Sequence, residues 1–394
     1  MLRDLLILGV AAAGLLVFLS PPMRRWQFWR AMVTPLASII GSGFLVLGPI
    51  LNDSLGIWAP LAMALLAALA YAFGAAIRYN IGGGADGSGR AGRVFETVAG
   101  WTLAACYVIS VAYYLNLLGA FAVRLTPFDS PLAARIVTSA VYIVILGVGW
   151  TKGFAALEAM EKYAVSLNLA AILGLLIGLA LFFGDKVTAS GPVISSPSVG
   201  PWAALTLFFG ILITVQGFET SRYLGDEYEA GLRVRSMRAA QIASAAIYLV
   251  YVTLLVLCFA PGAAKLTETA IIGMTSNVSP VLPIVLTAAA LAAQFSASVA
   301  DTTGAGGLVS ERSGGLVGNR MSYAVLVAAG LALTWTADVF AIISYASRAF
   351  ALYYAVEAAI AALAARREGD RRMWAFAVLC LLGIAIAALG RPVE

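Results

Sequence analysis

Long apolar segments alternate with short polar ones along all 394 residues of the chain. The hydrocarbon core of a bilayer is about 30 Å thick, so a helix needs about 20 apolar residues to cross it. Most of the apolar segments reach that length, and each therefore predicts a membrane-spanning helix. Twelve segments are predicted: residues 4–20, 31–51, 56–78, 96–124, 132–150, 162–184, 201–222, 239–260, 281–309, 321–336, 338–365 and 373–390.

The first segment, residues 4–20, permits two interpretations. It is short and follows Arg3, an arrangement that also occurs in signal peptides. No small-residue cleavage site precedes Pro21, so we expect a retained extra span. We number the other eleven segments span 1 to span 11.

Composition narrows the class of protein. Hydrophobic residues make up 61% of the chain and charged residues only 11%, whereas a soluble protein has about 25% charged residues. The mean hydropathy of +0.92 indicates a polytopic membrane protein whose surroundings are the lipid bilayer. The net charge of +5 is therefore not interpreted as a nucleic-acid-binding property.

The positive charges predict the orientation of the spans. Lysine and arginine concentrate in every second loop, and by the positive-inside rule these loops are cytoplasmic. Span 1 then runs outward from a cytoplasmic end before residue 31, in a plasma membrane of the bacterial inner-membrane type. The basic loops contain Arg24, Arg25, Arg30, Arg78, Arg90, Arg93, Lys152, Lys162, Arg233, Arg235, Arg238, Arg312, Arg320, Arg366, Arg367, Arg371 and Arg372.

The residue types present exclude several chemistries. The chain contains no histidine, which excludes histidine proton relays and Ser-His-Asp catalysis. Its three cysteines lie inside apolar segments and are interpreted as small apolar residues, not as disulfide or metal sites. No P-loop pattern occurs, so ATP-driven pumping by this chain alone is not expected. We predict neither an enzyme nor a bound cofactor beyond a coupling ion.

Two spans contain glycine beside polar residues near the bilayer centre. Span 1 contains Gly41-Ser42-Gly43, and span 6 contains the run 214–220 around Gly217. Glycine is about 1 kcal/mol less favourable than alanine in a helix. Two glycine-interrupted spans in opposite directions, one in each half of the chain, are typical of a transporter binding site. The alternative interpretation is that these glycines only allow close helix packing.

Both segments resemble those of a known family. The stretch "ASIIGSGFLVLGP" resembles the first span of amino acid–polyamine–organocation transporters, and "FFGILITVQGFETSRYLGDEYE" resembles their sixth. The resemblance covers about residues 31–390, although Thr214-Val215-Gln216 stands where the family has an aromatic-small-aromatic run. It implies an all-α membrane protein of about 12 transmembrane helices with the five-plus-five inverted repeat of the LeuT fold, in which spans 1 and 6 are broken. The implied divisions are 1–22 (extra span), 23–200 (first repeat), 201–369 (second repeat) and 370–394 (C-terminal span).

The resemblance also implies a substrate site. The backbone N–H groups of a span 1 break would bind a substrate carboxylate, helped by the positive end of a half-helix. Carbonyl groups of spans 1 and 6 would meet the amino group, and a tyrosine of span 3 would close over it. The expected substrate-binding residues are Ile39, Ile40, Gly41, Ser42, Gly43, Thr214, Val215, Gln216, Gly217 and Tyr107, with Tyr113 and Tyr114 as further span 3 tyrosines.

Span 8 provides candidates for ion coupling. Gln294, Ser298 and Asp301 share one helical face, and an aspartate inside a span is expensive enough to suggest a function. We expect Asp301 to carry a proton. The resemblance implies that Ser296 matches one hydroxyl ligand of a sodium site. It also implies that Asn168 of span 5 lies near the place where proton-coupled relatives have a lysine.

Two further ionisable residues lie within predicted spans. Glu219 follows the span 6 break, where it either accepts hydrogen bonds from freed amides or couples an ion. Arg348 lies well inside span 10 and must face a cavity or a carboxylate. Asp301 and Glu219 are its expected partners, because Glu357 lies on the opposite face of the helix. A gating pair, a static pair and direct substrate contact all remain open for Arg348.

These features predict a secondary active transporter of an amino acid or small amine that works by alternating access. Coupling to H⁺ is favoured over Na⁺. One alternative is an inorganic-cation transporter on the same fold, with Asp301 and Glu219 as ligands. Another is a transporter-like sensor that binds its ligand without moving it. The sequence does not indicate the oligomeric state.

Overall fold

The computed structural model describes residues 1–84, 89–151, 161–225, 227–262 and 265–393. Within these ranges the chain is all-helical and contains no strand. The helices are α1 (Leu2–Phe18), α2 (Pro21–Arg25), α3 (Gln27–Leu55), α4 (Ala59–Tyr79), α5 (Gly89–Arg124), α6 (Pro131–Thr151), α7 (Glu161–Ala189), α8 (Pro201–Gly210), α9 (Ala230–Cys258), α10 (Ala270–Ser276), α11 (Leu282–Arg312), α12 (Asn319–Thr336), α13 (Val339–Arg367) and α14 (Arg372–Leu389).

The apolar pattern locates these helices closely. Each predicted segment coincides with a long helix, except residues 201–222, which lie on an interrupted run. Nine stretches of the described chain are long and apolar enough to cross a membrane, and one of them, Gly43–Gly83, covers parts of both α3 and α4. The polytopic all-α class is thus confirmed, while the count of twelve spans and the inverted repeat stay predictions.

The predicted break in span 6 is confirmed. After α8 the backbone forms a short 3₁₀ turn over Leu212–Val215 and becomes extended at Gln216. Gly217 adopts a φ of 116°, and a second 3₁₀ stretch covers Phe218–Tyr223. We call residues 201–223 the broken segment.

The predicted break in span 1 is wrong for this structure. Helix α3 continues without interruption from Gln27 to Leu55, through Gly41 and Gly43. A helix of this length makes hydrogen bonds between residues four apart along its interior, so two glycines weaken it without breaking it.

Helices α3, α4, α9 and α13 pack against the two 3₁₀ stretches of the broken segment. α5 packs against α11 and α13, while α3 packs against α9 and both 3₁₀ stretches. The extra helix α1 packs on α7, and Arg3 pairs with Asp185 of α7. Asp4 accepts a 2.5 Å hydrogen bond from Ser279, which lies just before α11. The broken segment is thereby enclosed between α3 on one side and α13 on the other.

Candidate functional site

Side chains of two other helices and of the broken segment itself satisfy backbone groups that this segment leaves free. The Ile213 N–H donates to Ser347 Oγ at 2.9 Å, and the Gly217 N–H donates to Glu219 Oε2 at 3.0 Å. Tyr248 Oη donates to the Thr214 carbonyl at 2.5 Å. Such partners are needed because a bilayer interior provides no water for unpaired backbone groups.

Glu219 is the main acceptor at the break. Its side chain is buried, and besides the Gly217 N–H it accepts a hydrogen bond of 2.8 Å from Tyr354 Oη. The geometry therefore shows the amide-accepting arrangement that was one of the two interpretations of this residue. Its role in ion coupling stays a prediction.

Helix α3 uses its glycines for close packing. A Cβ placed on Gly43 would lie 2.7 Å from Thr214 Cγ2, and one on Gly217 would lie 2.6 Å from Ser38 Cβ. A Cβ on Gly41 would have no neighbouring atom within 4 Å. The close-packing interpretation therefore applies at Gly43.

The expected carboxylate cradle at Gly41, Ser42 and Gly43 is absent, because these residues lie inside the continuous helix α3. The side chain of Ser42 lies outside the described part of the structure. Two carbonyl groups of α3 do receive donors from other helices. The Ile39 carbonyl accepts from Tyr248 Oη at 3.1 Å, and the Gly41 carbonyl accepts from Gln294 Nε2 at 2.9 Å.

The other predicted substrate residues lie near the contact between α3 and the broken segment. Ile40 and Val215 are buried in the apolar core. Val215 also lines a cavity of about 10 Å³ together with Ile39 and Tyr248. Gln216 is buried, and its Nε2 donates to Tyr114 Oη at 2.9 Å.

Of the three span 3 tyrosines, Tyr114 makes this hydrogen bond with the break, whereas Tyr107 packs on Gly304 of α11. The residue chosen from the sequence, Tyr107, therefore lies about two helical turns away along α5. The three tyrosines could not be distinguished from the sequence alone, since all are aromatic and lie in one span.

A cavity of about 50 Å³ brings together three of the predicted ion-coupling residues. It lies between α3, α7, α11 and the broken segment, and its polar lining includes Asn168, Ser296 and Asp301. A water molecule needs about 10–15 Å³ of such space, so the cavity has room for a few waters or an ion. Its remaining polar residues are Thr34, Ser38 and Thr220.

Asp301 and Ser298 occupy different positions on α11. Asp301 is buried and accepts a hydrogen bond from Ser110 Oγ of α5. Ser298 is also buried, but its Oγ donates to the Phe295 carbonyl of its own helix at 2.8 Å. Ser298 is not among the residues that line the cavity.

The expected pairing of Arg348 with Asp301 or Glu219 is wrong. Arg348 is exposed, and its Nε donates to the Ala387 carbonyl at the end of α14 at 2.7 Å. The preceding residue, Ser347, faces the broken segment. Successive residues of a helix point about 100° apart, so Arg348 is turned toward α14.

A buried ionic network was missed by the sequence analysis. Arg222, at the end of the broken segment, pairs with Glu357 of α13 and lies 2.6 Å from Glu96 of α5. Asn80 Nδ2 also donates to Glu357 Oε2 at 2.8 Å, and Arg233 donates to the Arg222 carbonyl at 2.7 Å. The position of Glu357 inside an apolar span was the one available indication.

Comparison with known proteins agrees with this architecture. Residues 21–390 match the family model of the APC superfamily transporter. An uncharacterized protein of Aquifex aeolicus (strain VF5) is 40% identical over 405 aligned positions, which cover 100% of this chain and 98% of that protein. The all-helical fold, the glycine break among packed spans and this match together show that the chain belongs to the APC superfamily and is a membrane transporter.

Proposed function

We propose that this transporter moves an amino acid or small amine by alternating access and couples the movement to H⁺ through Asp301. The observation that carries the proposal is the 50 Å³ cavity, which Asp301 lines together with Asn168 and Ser296. The same cavity borders α3 and Thr220 of the broken segment. A change in the charge of Asp301 would therefore take place in a cavity that the broken segment also lines.

Asp301 suits proton transfer because its hydrogen-bond partner tolerates both of its charge states. Ser110 Oγ donates to the Asp301 carboxylate, and a hydroxyl can equally accept a hydrogen bond from a protonated carboxyl group. Asp301 is also the ionisable residue among those that line the cavity. Na⁺ is the alternative coupling ion, with Ser296 and Asn168 supplying neutral oxygen ligands.

Alternating access would be a movement of α3, α4, the broken segment and α9 against α5, α6, α7, α11, α12 and α13. These two groups correspond to spans 1, 2, 6 and 7 and to spans 3, 4, 5, 8, 9 and 10 of a five-plus-five repeat. In this proposal the start of α3 is cytoplasmic, and the protein lies in the inner membrane of a bacterium.

The test is uptake of labelled amino acids and amines into liposomes that contain the purified protein. We expect accumulation under an inward proton gradient and none without a gradient. Asp301→Asn should abolish accumulation but keep exchange of internal for external substrate. Asp338→Asn is the matched control, because Asp338 is exposed, caps α13 through Ala341 N, and asparagine caps equally well.

Each other outcome overturns part of the proposal. Concentrative uptake by Asp301→Asn at the wild-type rate would remove Asp301 from the mechanism. Accumulation that follows a sodium gradient would identify Na⁺ as the coupling ion. Uptake of inorganic cations alone would indicate an inorganic-cation transporter on the same fold. Binding without flux would indicate a sensor.

A further inference from the structure

Two glutamine side chains beside the break each have a buried acceptor atom without a partner. Gln216 is 2% exposed and Gln294 is 4% exposed. Within the described ranges, neither Gln216 Oε1 nor Gln294 Oε1 has a hydrogen-bond partner. Buried polar atoms of native proteins are nearly always paired, so two such acceptors in one region indicate groups that meet a ligand.

The opposite end of each amide is already engaged. Gln294 Nε2 donates to the Gly41 carbonyl at 2.9 Å. A carbonyl only accepts, so the Gln294 amide cannot be reversed without losing this bond. Gln216 Nε2 lies 2.9 Å from Tyr114 Oη. The oxygen is therefore the atom left for a ligand in Gln294, and also in Gln216 when its Nε2 donates to Tyr114.

Contacts along α5 and α11 show where the two glutamines and Tyr114 lie along these helices relative to Asp301. Tyr107 packs on Gly304 and Ser110 bonds to Asp301, so the two helices run antiparallel. Tyr114 lies one turn beyond Ser110, and Gln294 lies about two turns before Asp301 on the same face of α11. Both residues continue in the same direction from Asp301, toward the break.

Helix α3 joins the two glutamines. Gln294 bonds to Gly41, while Gly217, the neighbour of Gln216, packs on Ser38, which lies three residues before Gly41 on the same side of α3. Both acceptors therefore belong to the surroundings of one turn of α3, where it meets the broken segment.

The charges around this turn favour a cationic group. Glu219 is bonded to Gly217 at the break, and Asp301 lines the adjacent cavity. No lysine or arginine of the described chain lines either cavity that borders α3 near the break. The available amide oxygens are acceptors, so they match a positively charged group that carries N–H donors.

We infer that Gln216 and Gln294 determine the specificity of the transporter by accepting N–H hydrogen bonds from a primary ammonium group of the substrate. This inference rests on the proposed function and names the substrate group that the site selects. A primary ammonium group has three N–H donors, whereas a trimethylated one has none. One hydrogen bond to a charged group corresponds to about 10- to 100-fold in affinity.

Binding of a methylation series tests the inference. The probes are n-butylamine and its N-methyl, N,N-dimethyl and N,N,N-trimethyl derivatives, measured by thermal shift of the purified full-length protein. We expect affinity to fall with each methyl group, by about tenfold or more between the two ends of the series. Gln216→Met and Gln294→Met should each weaken the primary amine about tenfold and leave the trimethylated probe almost unchanged.

Two further variants separate specificity from folding. Gln216→Glu retains an oxygen acceptor and should keep the preference for the primary amine, because the Tyr114 hydroxyl can donate to its second carboxylate oxygen. Gln241→Met is the matched control, because Gln241 is equally buried but both of its amide ends are paired, with Arg78 and with the Ala70 carbonyl. It should lower the melting temperature and leave the ratio of primary to trimethylated affinity unchanged.

The inference is overturned if none of the four probes binds, if the wild type binds them equally, or if Gln216→Met and Gln294→Met keep the wild-type ratio. Its failure is distinct from that of the proposed function. Gradient-driven uptake without discrimination would overturn the inference alone. Discrimination in binding without gradient-driven uptake would overturn the transport mechanism and leave the specificity residues in place.

Discussion

Helix α3 and the broken segment have similar glycine-containing sequences and opposite backbone conformations. α3 remains one helix through Gly41 and Gly43. The broken segment leaves the helical conformation at Gln216 and Gly217, where φ reaches 116°. Since both spans contain glycine at similar depth, glycine alone does not decide whether a span breaks.

The difference lies in what meets the freed backbone groups. In the broken segment, Ser347 and Glu219 accept from backbone N–H groups, and Tyr248 donates to a carbonyl. Around Gly41 the contacts from other helices come from donors, Tyr248 and Gln294, which reach carbonyl groups of an intact helix. A break in a membrane span thus needs acceptors for its N–H groups, and a carboxylate two residues after the glycine is one source.

The largest effect on stability is expected at Arg222, which links the broken segment to α13 and α5 through ion pairs. Arg222→Met leaves the buried Glu357 carboxylate without its cation, which costs about 3–5 kcal/mol. We expect a large loss of thermal stability, partly restored in Arg222→Met/Glu357→Gln. Arg25→Met, at an exposed position just before α3, should change stability by less than about 0.5 kcal/mol. Equal melting temperatures for Arg222→Met and Arg25→Met would show that the network does not hold the segment.

Removing the carboxylate of Glu219 tests the acceptor at the break itself. Glu219→Ala leaves the Gly217 N–H and Tyr354 Oη without their acceptor, at a cost of about 3 kcal/mol. Thermal unfolding in detergent measures the effect, with the exposed Glu229→Ala as the control. A Glu219→Ala variant as stable as this control would mean that the break persists without its acceptor.

A smaller effect is expected at Ser347. Ser347→Ala removes the acceptor of the Ile213 N–H and should cost about 1–2 kcal/mol. The comparison is Ser276→Ala, at an exposed serine whose hydroxyl bonds only within its own turn. If the two variants lose the same stability, the Ile213 contact contributes nothing to the broken conformation.

The local pattern of the sequence predicted the helices well, because length and hydropathy are local properties. It also selected Asp301, since an ionisable residue in an apolar span is expensive enough to be informative. The resemblance selected Asn168 and Ser296, and all three residues line one cavity. These residues line one cavity because α7 and α11 pack together. The resemblance implied this packing, whereas the hydropathy pattern alone did not.

Two failures have the same physical origin. Arg348 was assigned to the site from its depth alone, but its direction around α13 turns it toward α14. The Arg222–Glu357 pair was missed because its partners are 135 residues apart and meet only in the packed fold. The continuous α3 adds a third case, since Gly43 serves close packing against Thr214 and not a gap.

The central claim is that the broken segment, with α3 as an intact helix beside it, forms the substrate site. Gradient-driven uptake by Gly217→Ala and Gly41→Ala in liposomes tests it most directly. Gly217→Ala should abolish uptake, because a φ of 116° strains alanine and its Cβ would meet Ser38. Gly41→Ala should keep uptake and add up to about 1 kcal/mol of stability, because its Cβ enters open space in a helix. Loss of uptake in Gly41→Ala, with uptake retained in Gly217→Ala, would place the substrate site at span 1 and contradict the account.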